Sequence, residues 1–312
     1  MGITIMAAPA KFSGVLTPVI TPFKEDLTPD ADRLLRQCKW MISKNVGLAV
    51  FGTNSEANSL STDEKIELMD RLVEGGIDPA RMMPGTGCCA ISDSVKLTNH
   101  AVKLGCGGAL MLPPFYYKGV SDDGLYANFS EIIQKVGNAN LRVYLYHIPP
   151  ISNIPLSLDL IERLIKEYPN TVVGVKDSSG DWNNTKAMLD AGWDDFRVFA
   201  GAETFLLDNM RNGGAGCISA TANVNPAAIH NLFANWQSDE ADDLQAGLNV
   251  VRNIFASYPM IPALKAAAAI YGEDPEWCRV RPPLVGLDEG QMAGLTADLK
   301  AIDFAMPGMK EA

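Results

Sequence analysis

Residues 171–181 read TVVGVKDSSGD. The first five are nearly all apolar and rich in β-branched side chains, the pattern of a strand buried on both faces, as in a parallel sheet covered by helices. Lys176 closes the run, and Asp-Ser-Ser-Gly-Asp then breaks it as a loop or helix start. A lysine at the rim of such a strand has its ammonium partly desolvated, which favours the neutral amine, a nucleophile able to condense with a ketone. The plain alternative is a lysine that snorkels to solvent from a strand end.

Working outward, the same kind of run recurs at residues 14–20, 46–51, 81–84, 108–112, 142–146, 197–200 and 216–220. Amphipathic stretches follow the eight runs in turn, at 30–44, 62–74, 92–104, 122–136, 156–167, 182–191, 203–211 and 226–236. Several open on N-cap residues: Ser61 in an S-T-D-E capping box, Ser121 and Ser157. Eight strand–helix units in unbroken alternation predict an α/β fold of the (β/α)8 barrel type over residues 13–236. A doubly wound open sheet would carry a glycine-rich dinucleotide loop in its first turn, and residues 14–23 hold none. Beyond the eighth unit the chain reads as helices at 239–256, 261–271 and 289–302, punctuated by Pro259, Pro262, Pro282 and Pro283. Residues 237–312 are therefore expected to form a C-terminal helical extension, and 1–12 a loose leader.

An apolar content of 47% and a charged content of 20% are those of a globular protein with a sizeable core. A net charge of -11 with no Lys/Arg cluster argues against nucleic acid or an anionic membrane as partner. An anionic small-molecule substrate would need local donors: backbone N–H groups, a helix start or a single cation. The six scattered cysteines in a chain of this length predict reduced thiols and a cytoplasmic protein. The N-terminus lacks a signal-peptide pattern, and no apolar run approaches the ~20 residues of a membrane helix. His100, His147 and His230 are the only histidines, and two of them sit in helix candidates, so a metal-dependent aldolase is not expected.

In a barrel, the loops after the strands build the site. The second run ends FGTNSEANS (51–59), where Thr53, Asn54 and Ser55 offer a hydroxyl, an amide and consecutive N–H groups suited to an anion; a polar turn would look the same. The fourth continues into PPFYYKGVSDDG (113–124), placing Tyr116 and Tyr117 near the barrel mouth or in an interface. In VYLYHIPP (143–150), alternation puts Tyr144 and Tyr146 on one face, with Tyr146 one strand from Lys176 and in reach of proton transfer. His147 faces the other way and reads as a packing residue. The eighth run, GAGCISATANVNP from Gly214, has small residues around Ile218 that leave space for substrate.

Together, GVLTPVITPF at Gly14, FGTNSEA, PPFYYKGVSDDGLY, YHIPP, GVKDSSG, GCISATANV and YPMIPALKAA at Tyr258 resemble the dihydrodipicolinate synthase/N-acetylneuraminate lyase family of class I pyruvate-type aldolases, from Ser13 to about Ile302. The resemblance implies a lyase in which Lys176 forms a Schiff base with a 2-oxo acid and Tyr146 is general acid/base. It further implies that Thr53 and Tyr117 extend a hydroxyl relay, the tyrosine often from a neighbouring subunit, and that Thr53 with the Asn54/Ser55 backbone holds the pyruvyl carboxylate. It implies no metal or organic cofactor, and a homotetramer built as a dimer of dimers. GTNSE stands where the synthase pattern has GTTGE, and Ile151 where it has an arginine for the aldehyde carboxylate. The sugar-binding G-x-D-E of the lyases appears as Gly201-Ala202-Glu203-Thr204, keeping Glu203 as a candidate substrate contact. The expected function is thus aldol cleavage or dehydration of a 2-keto-3-deoxy sugar acid. The alternatives are 4-hydroxy-tetrahydrodipicolinate synthase and, more distantly, a non-catalytic sugar-acid binding protein.

Overall fold

A computed structural model describes residues 10–311; the leader expected over 1–12 falls mostly outside them. Seven strands, β1 (Gly14–Thr17), β2 (Gly47–Leu48), β3 (Ala109–Met111), β4 (Val143–His147), β5 (Val172–Asp177), β6 (Arg197–Ala200) and β7 (Gly216–Ile218), form one sheet in the order β2-β1-β7-β6-β5-β4-β3. Every pairing is parallel. All six residues of β5 are buried, as a parallel strand between an inner core and an outer helix layer requires.

The third of the eight expected strands, at 81–84, is not one. Residues 79–81 form a 3-10 turn opened by Pro79, and Pro84 has no N–H to donate to a ladder. The segment still joins both neighbours. The Met83 and Gly85 N–H groups donate to the Leu48 and Val50 carbonyls at 2.8 and 2.7 Å. On the other side, Leu110 N–H donates to Pro84 O at 2.9 Å and Thr86 N–H to Leu110 O at 3.0 Å. Residues 82–86 thus occupy the place of a strand between β2 and β3, with the curled sheet and surrounding helices of a TIM-barrel fold.

The inside of the curl is a cluster drawn from around the sheet: Leu16, Ala49, Met83, Leu110, Tyr144, Val173, Phe199 and Ile218, with Tyr146 and Ile148 toward one end. Tyr144 fills its middle and imposes a glycine opposite. A Cβ on Gly174 would lie 2.6 Å from the Tyr144 ring and 2.6 Å from the Arg197 carbonyl. This is why the lysine strand is V-V-G-V-K and not a continuous branched run. Tyr144 accepts a hydrogen bond from Phe12 N–H at 2.7 Å, and burial pushes its phenol up to about 12.

The helices fall close to their expected positions, and the caps form. Ser61 and Glu64 make a reciprocal capping box on Thr62–Glu74, and Ser121 and Ser157 accept from Gly124 N–H and Leu160 N–H. Helices Ala241–Ala256, Met260–Gly272 and Glu289–Ala301 follow β7. They contribute Leu248, Phe255, Leu264 and Leu295 to the same apolar layer as Leu34, Met41 and Met69 near the start of the chain. Among the described residues no single helix is long and apolar enough to cross a membrane.

Arg281 ties the late chain to the early one. Its guanidinium pairs with Glu64 and donates to the Leu27 and Ser59 carbonyls. The hydrogen bond from Arg281 holds the Glu64 carboxyl down to about 2, against an ordinary 4.5. Because the folded value is the lower one, the contact stabilises fully above pH 4.5 and fades as pH falls through 2. Urea melts of wild type and Glu64→Gln should therefore differ most at neutral pH and converge toward about pH 2. A gap independent of pH would mean the contact acts through packing alone.

Candidate active site

β4 and β5 run in register, pairing Tyr146 with Lys176 and His147 with Asp177. Alternation sends Tyr146 and Lys176 to the interior side and their successors outward. Lys176 is 2% exposed, and its Nζ lies 4.2 Å from the Tyr146 ring centroid. The Tyr146 hydroxyl is 3.0 Å from Thr53 Oγ1. Three strand ends thus bring an amine, a phenol and an alcohol to one point.

They line a cavity of about 270 Å³ together with Asn54, Ile151, Ser178, Ala202 and Arg252. Its mouth continues into an apolar groove walled by Pro259, Met260, Leu284 and Val285.

The 53–55 stretch is a single 3-10 turn whose entry and exit are both unusual. Phe51 has φ 62° and Glu56 φ 55°, left-handed values that non-glycine residues adopt at a cost of order 1–3 kcal/mol. The surroundings hold the turn there. Thr21 Oγ1 donates to Ser55 O at 2.7 Å, and Gly52 N–H donates to Ser55 Oγ at 3.2 Å. The Glu56 carboxylate accepts Arg281 N–H at 2.8 Å and pairs with the ammonium of Lys265, both side chains being fully buried. Lys265 also donates to Arg279 O at 2.6 Å and lies 4.4 Å from the Phe23 ring centroid; burial lowers its pKa to about 8. Helix Met260–Gly272 thereby fixes the turn beneath the cavity.

Not every expected contact reaches the cavity. Ser55 is buried and its N–H donates back to Gly52 O at 3.1 Å, so the donors left for an anion are those of Thr53 and Asn54, at the start of the turn. Ile218 is fully buried in the inner cluster and does not line the cavity. Glu203, 1% exposed, sits behind the wall, its oxygens accepting from the Ser219 and Thr221 hydroxyls and its Oε2 3.6 Å from Arg252 Nη1. It backs the wall and does not itself line the cavity. Tyr117 is 74% exposed, edge-on to Tyr116, and outside this chain's own cavity.

His147 is a packing residue. Its Nδ1 accepts Leu156 N–H at 3.0 Å, and Nε2 faces Asp177 Oδ1 at 3.9 Å. Burial lowers its pKa, with Asp177 partly opposing. Asp177 is spent on its own loop, accepting from Ser179 N–H at 2.9 Å and Thr185 Oγ1 at 2.6 Å. Sequence reasoning missed Arg252, Lys265 and Glu56. The available signal was a lone cation in an otherwise apolar helical stretch, in NVVRNIF and IPALKAAAAI.

Residues 11–302 match the model of the dihydrodipicolinate synthetase family. An uncharacterised DapA-like lyase from Chloroflexus aurantiacus is 30% identical over 292 residues, 93% of this chain and 96% of that one. A 4-hydroxy-tetrahydrodipicolinate synthase from Bradyrhizobium diazoefficiens is 32% identical over 290 residues, 91% and 94% of the two chains. Among solved structures, dihydrodipicolinate synthase from Agrobacterium tumefaciens superposes with a TM-score of 0.85 at 30% identity, covering 92% of this chain and 98% of that one.

Proposed function

The chain belongs to the dihydrodipicolinate synthetase family, a family of Schiff-base lyases, and on that footing we propose that it cleaves or dehydrates a 2-keto-3-deoxy sugar acid. The reading is supported above all by the Lys176 amine beside Tyr146, whose hydroxyl is 3.0 Å from Thr53, in a cavity sized for a small molecule.

In this reading Lys176 Nζ attacks the C2 carbonyl and water leaves, giving a protonated imine. Thr53 and Asn54 N–H groups hold the C1 carboxylate. In cleavage the C3–C4 pair moves into the imine while the C4 hydroxyl proton passes to Tyr146 Oη, whose own proton moves to Thr53 Oγ1 as Thr53 hands its hydroxyl proton onward through the relay to solvent. An aldehyde departs; the enamine takes a proton at C3 and hydrolysis releases pyruvate or a relative. In dehydration the same imine loses a C3 proton and expels a hydroxyl. Tyr117, exposed on its loop, reaches the relay of a neighbouring subunit. The protein is then a cytoplasmic homotetramer, a dimer of dimers, with a barrel over 13–236 and a helical extension over 237–312. No metal or organic cofactor enters any step.

Condensation of pyruvate with aspartate semialdehyde, the reaction of the synthases, is the second reading, since relatives of that name are 32% identical. Against it, Ile151, 61% exposed, lines the cavity with a hydrocarbon side chain where the synthase pattern has arginine. A panel of 2-keto-3-deoxy acids assayed for pyruvate release and for water loss, beside the condensation, separates the readings. Turnover of a panel member with slow condensation is the expected result; efficient condensation with no panel activity would reverse it.

A further inference from the structure

Among the described residues, three charged side chains line the cavity: Lys176, Asp177 and Arg252. Lys176 is assigned to the imine, and the carboxylate of Asp177 is consumed by Ser179 and Thr185. Arg252 is the cation with nothing yet to do. It comes from helix Ala241–Ala256, its side chain only 22% exposed, and stands beside the loops after β6 and β7 that supply Ala202 and Ala220. Nη1 is buried without a hydrogen-bond partner among the described residues. The nearest carboxylate, Glu203, is 3.6 Å away and is already engaged by Ser219 and Thr221. Glu203 therefore balances part of the charge without occupying the guanidinium fork.

Leaving such a donor unfilled in a desolvated place is costly, and a planar fork suits a carboxylate in two-point contact. Ile151, the other position from which a cation would be expected, is apolar. Resting on the Schiff-base reading, we infer that Arg252 binds a second carboxylate at the far end of the substrate, so that the preferred substrate is a 2-oxo acid of the aldarate kind, ionised at both ends. A terminal phosphate fits less well, because one guanidinium half-countered by Glu203 does not match a dianion.

The test compares three compounds of equal chain length: a 2-oxo-3-deoxyaldarate, the 2-oxo-3-deoxyaldonate ending in hydroxymethyl, and the terminal phosphate ester of the latter. For wild type, kcat/KM should favour the diacid over the hydroxymethyl compound by roughly 10- to 100-fold. Arg252→Ala should collapse that preference through KM, and Arg252→Lys should restore part of it. Both variants should still be trapped on pyruvate by borohydride, which reports a folded site with Lys176 in place. Equal losses on diacid and hydroxymethyl compound, or a wild-type preference for the hydroxymethyl or phosphate end, would overturn the assignment of Arg252 while leaving trapping intact. Absence of trapping in wild type would instead bring down the Schiff-base reading, and this inference with it.

Discussion

Lys176→Ala will lose turnover by a factor on the order of 10⁴–10⁶, the scale seen when a covalent nucleophile is removed and only binding and polarisation remain. Lys176→Arg will fail nearly as badly, and it is the more informative variant. A guanidinium places a positive charge over the Tyr146 ring, whose centroid is 4.2 Å from the Nζ position, but does not deprotonate and so offers no lone pair to a ketone. If the residue served only to attract an anion, the arginine variant would retain much of the activity. Both variants should remain folded at room temperature, because the inner cluster of Tyr144, Val173 and Phe199 packs below the lysine. Circular dichroism and the elution volume of each variant check that point.

Tyr146→Phe is expected to lower kcat by 10²–10⁴, the usual contribution of a positioned acid–base group. The ring stays, so the wall beside Lys176 is preserved; only the hydroxyl that meets Thr53 at 3.0 Å is lost. Imine formation with pyruvate should slow but still reach completion on long incubation, whereas carbon–carbon cleavage or water loss stalls. Single-turnover kinetics separate the two steps. Thr53→Val should cost less than Tyr146→Phe, since it removes the second member of the relay and leaves the first. The reverse order would assign the proton transfer to Thr53.

The lysine and tyrosine strands were legible because two local signals agreed. An apolar run ending in one charge marks a buried strand, and period-two alternation fixes which side each residue takes. Tyr146 and Lys176 pair in register, and His147 turns to Leu156 as alternation expects. The helix starts were legible through side chains that satisfy their own backbone, as at Ser61. Less was visible where the answer depends on what a distant segment does. Residues 81–84 carry the composition of a strand, but Pro84 denies them a ladder, and they serve through four hydrogen bonds instead. The 53–55 turn advertises three N–H groups, yet one is used to close the turn itself. Arg252 and Lys265 enter from helices some 200 residues after the turn they serve or face; no local pattern reports such docking, only the oddity of a charge among apolar neighbours. Glu203 shows the same limit from the other side, as a retained acid that faces Ser219, Thr221 and Arg252 from behind the cavity wall.

The most direct measurement is borohydride reduction of the wild-type protein in the presence of pyruvate, followed by peptide mass spectrometry. The account predicts one stoichiometric pyruvate-derived adduct, located on Lys176 and absent from Lys176→Arg. An unmodified Lys176 under conditions that label a known Schiff-base aldolase, or an adduct carried by another lysine, would contradict it.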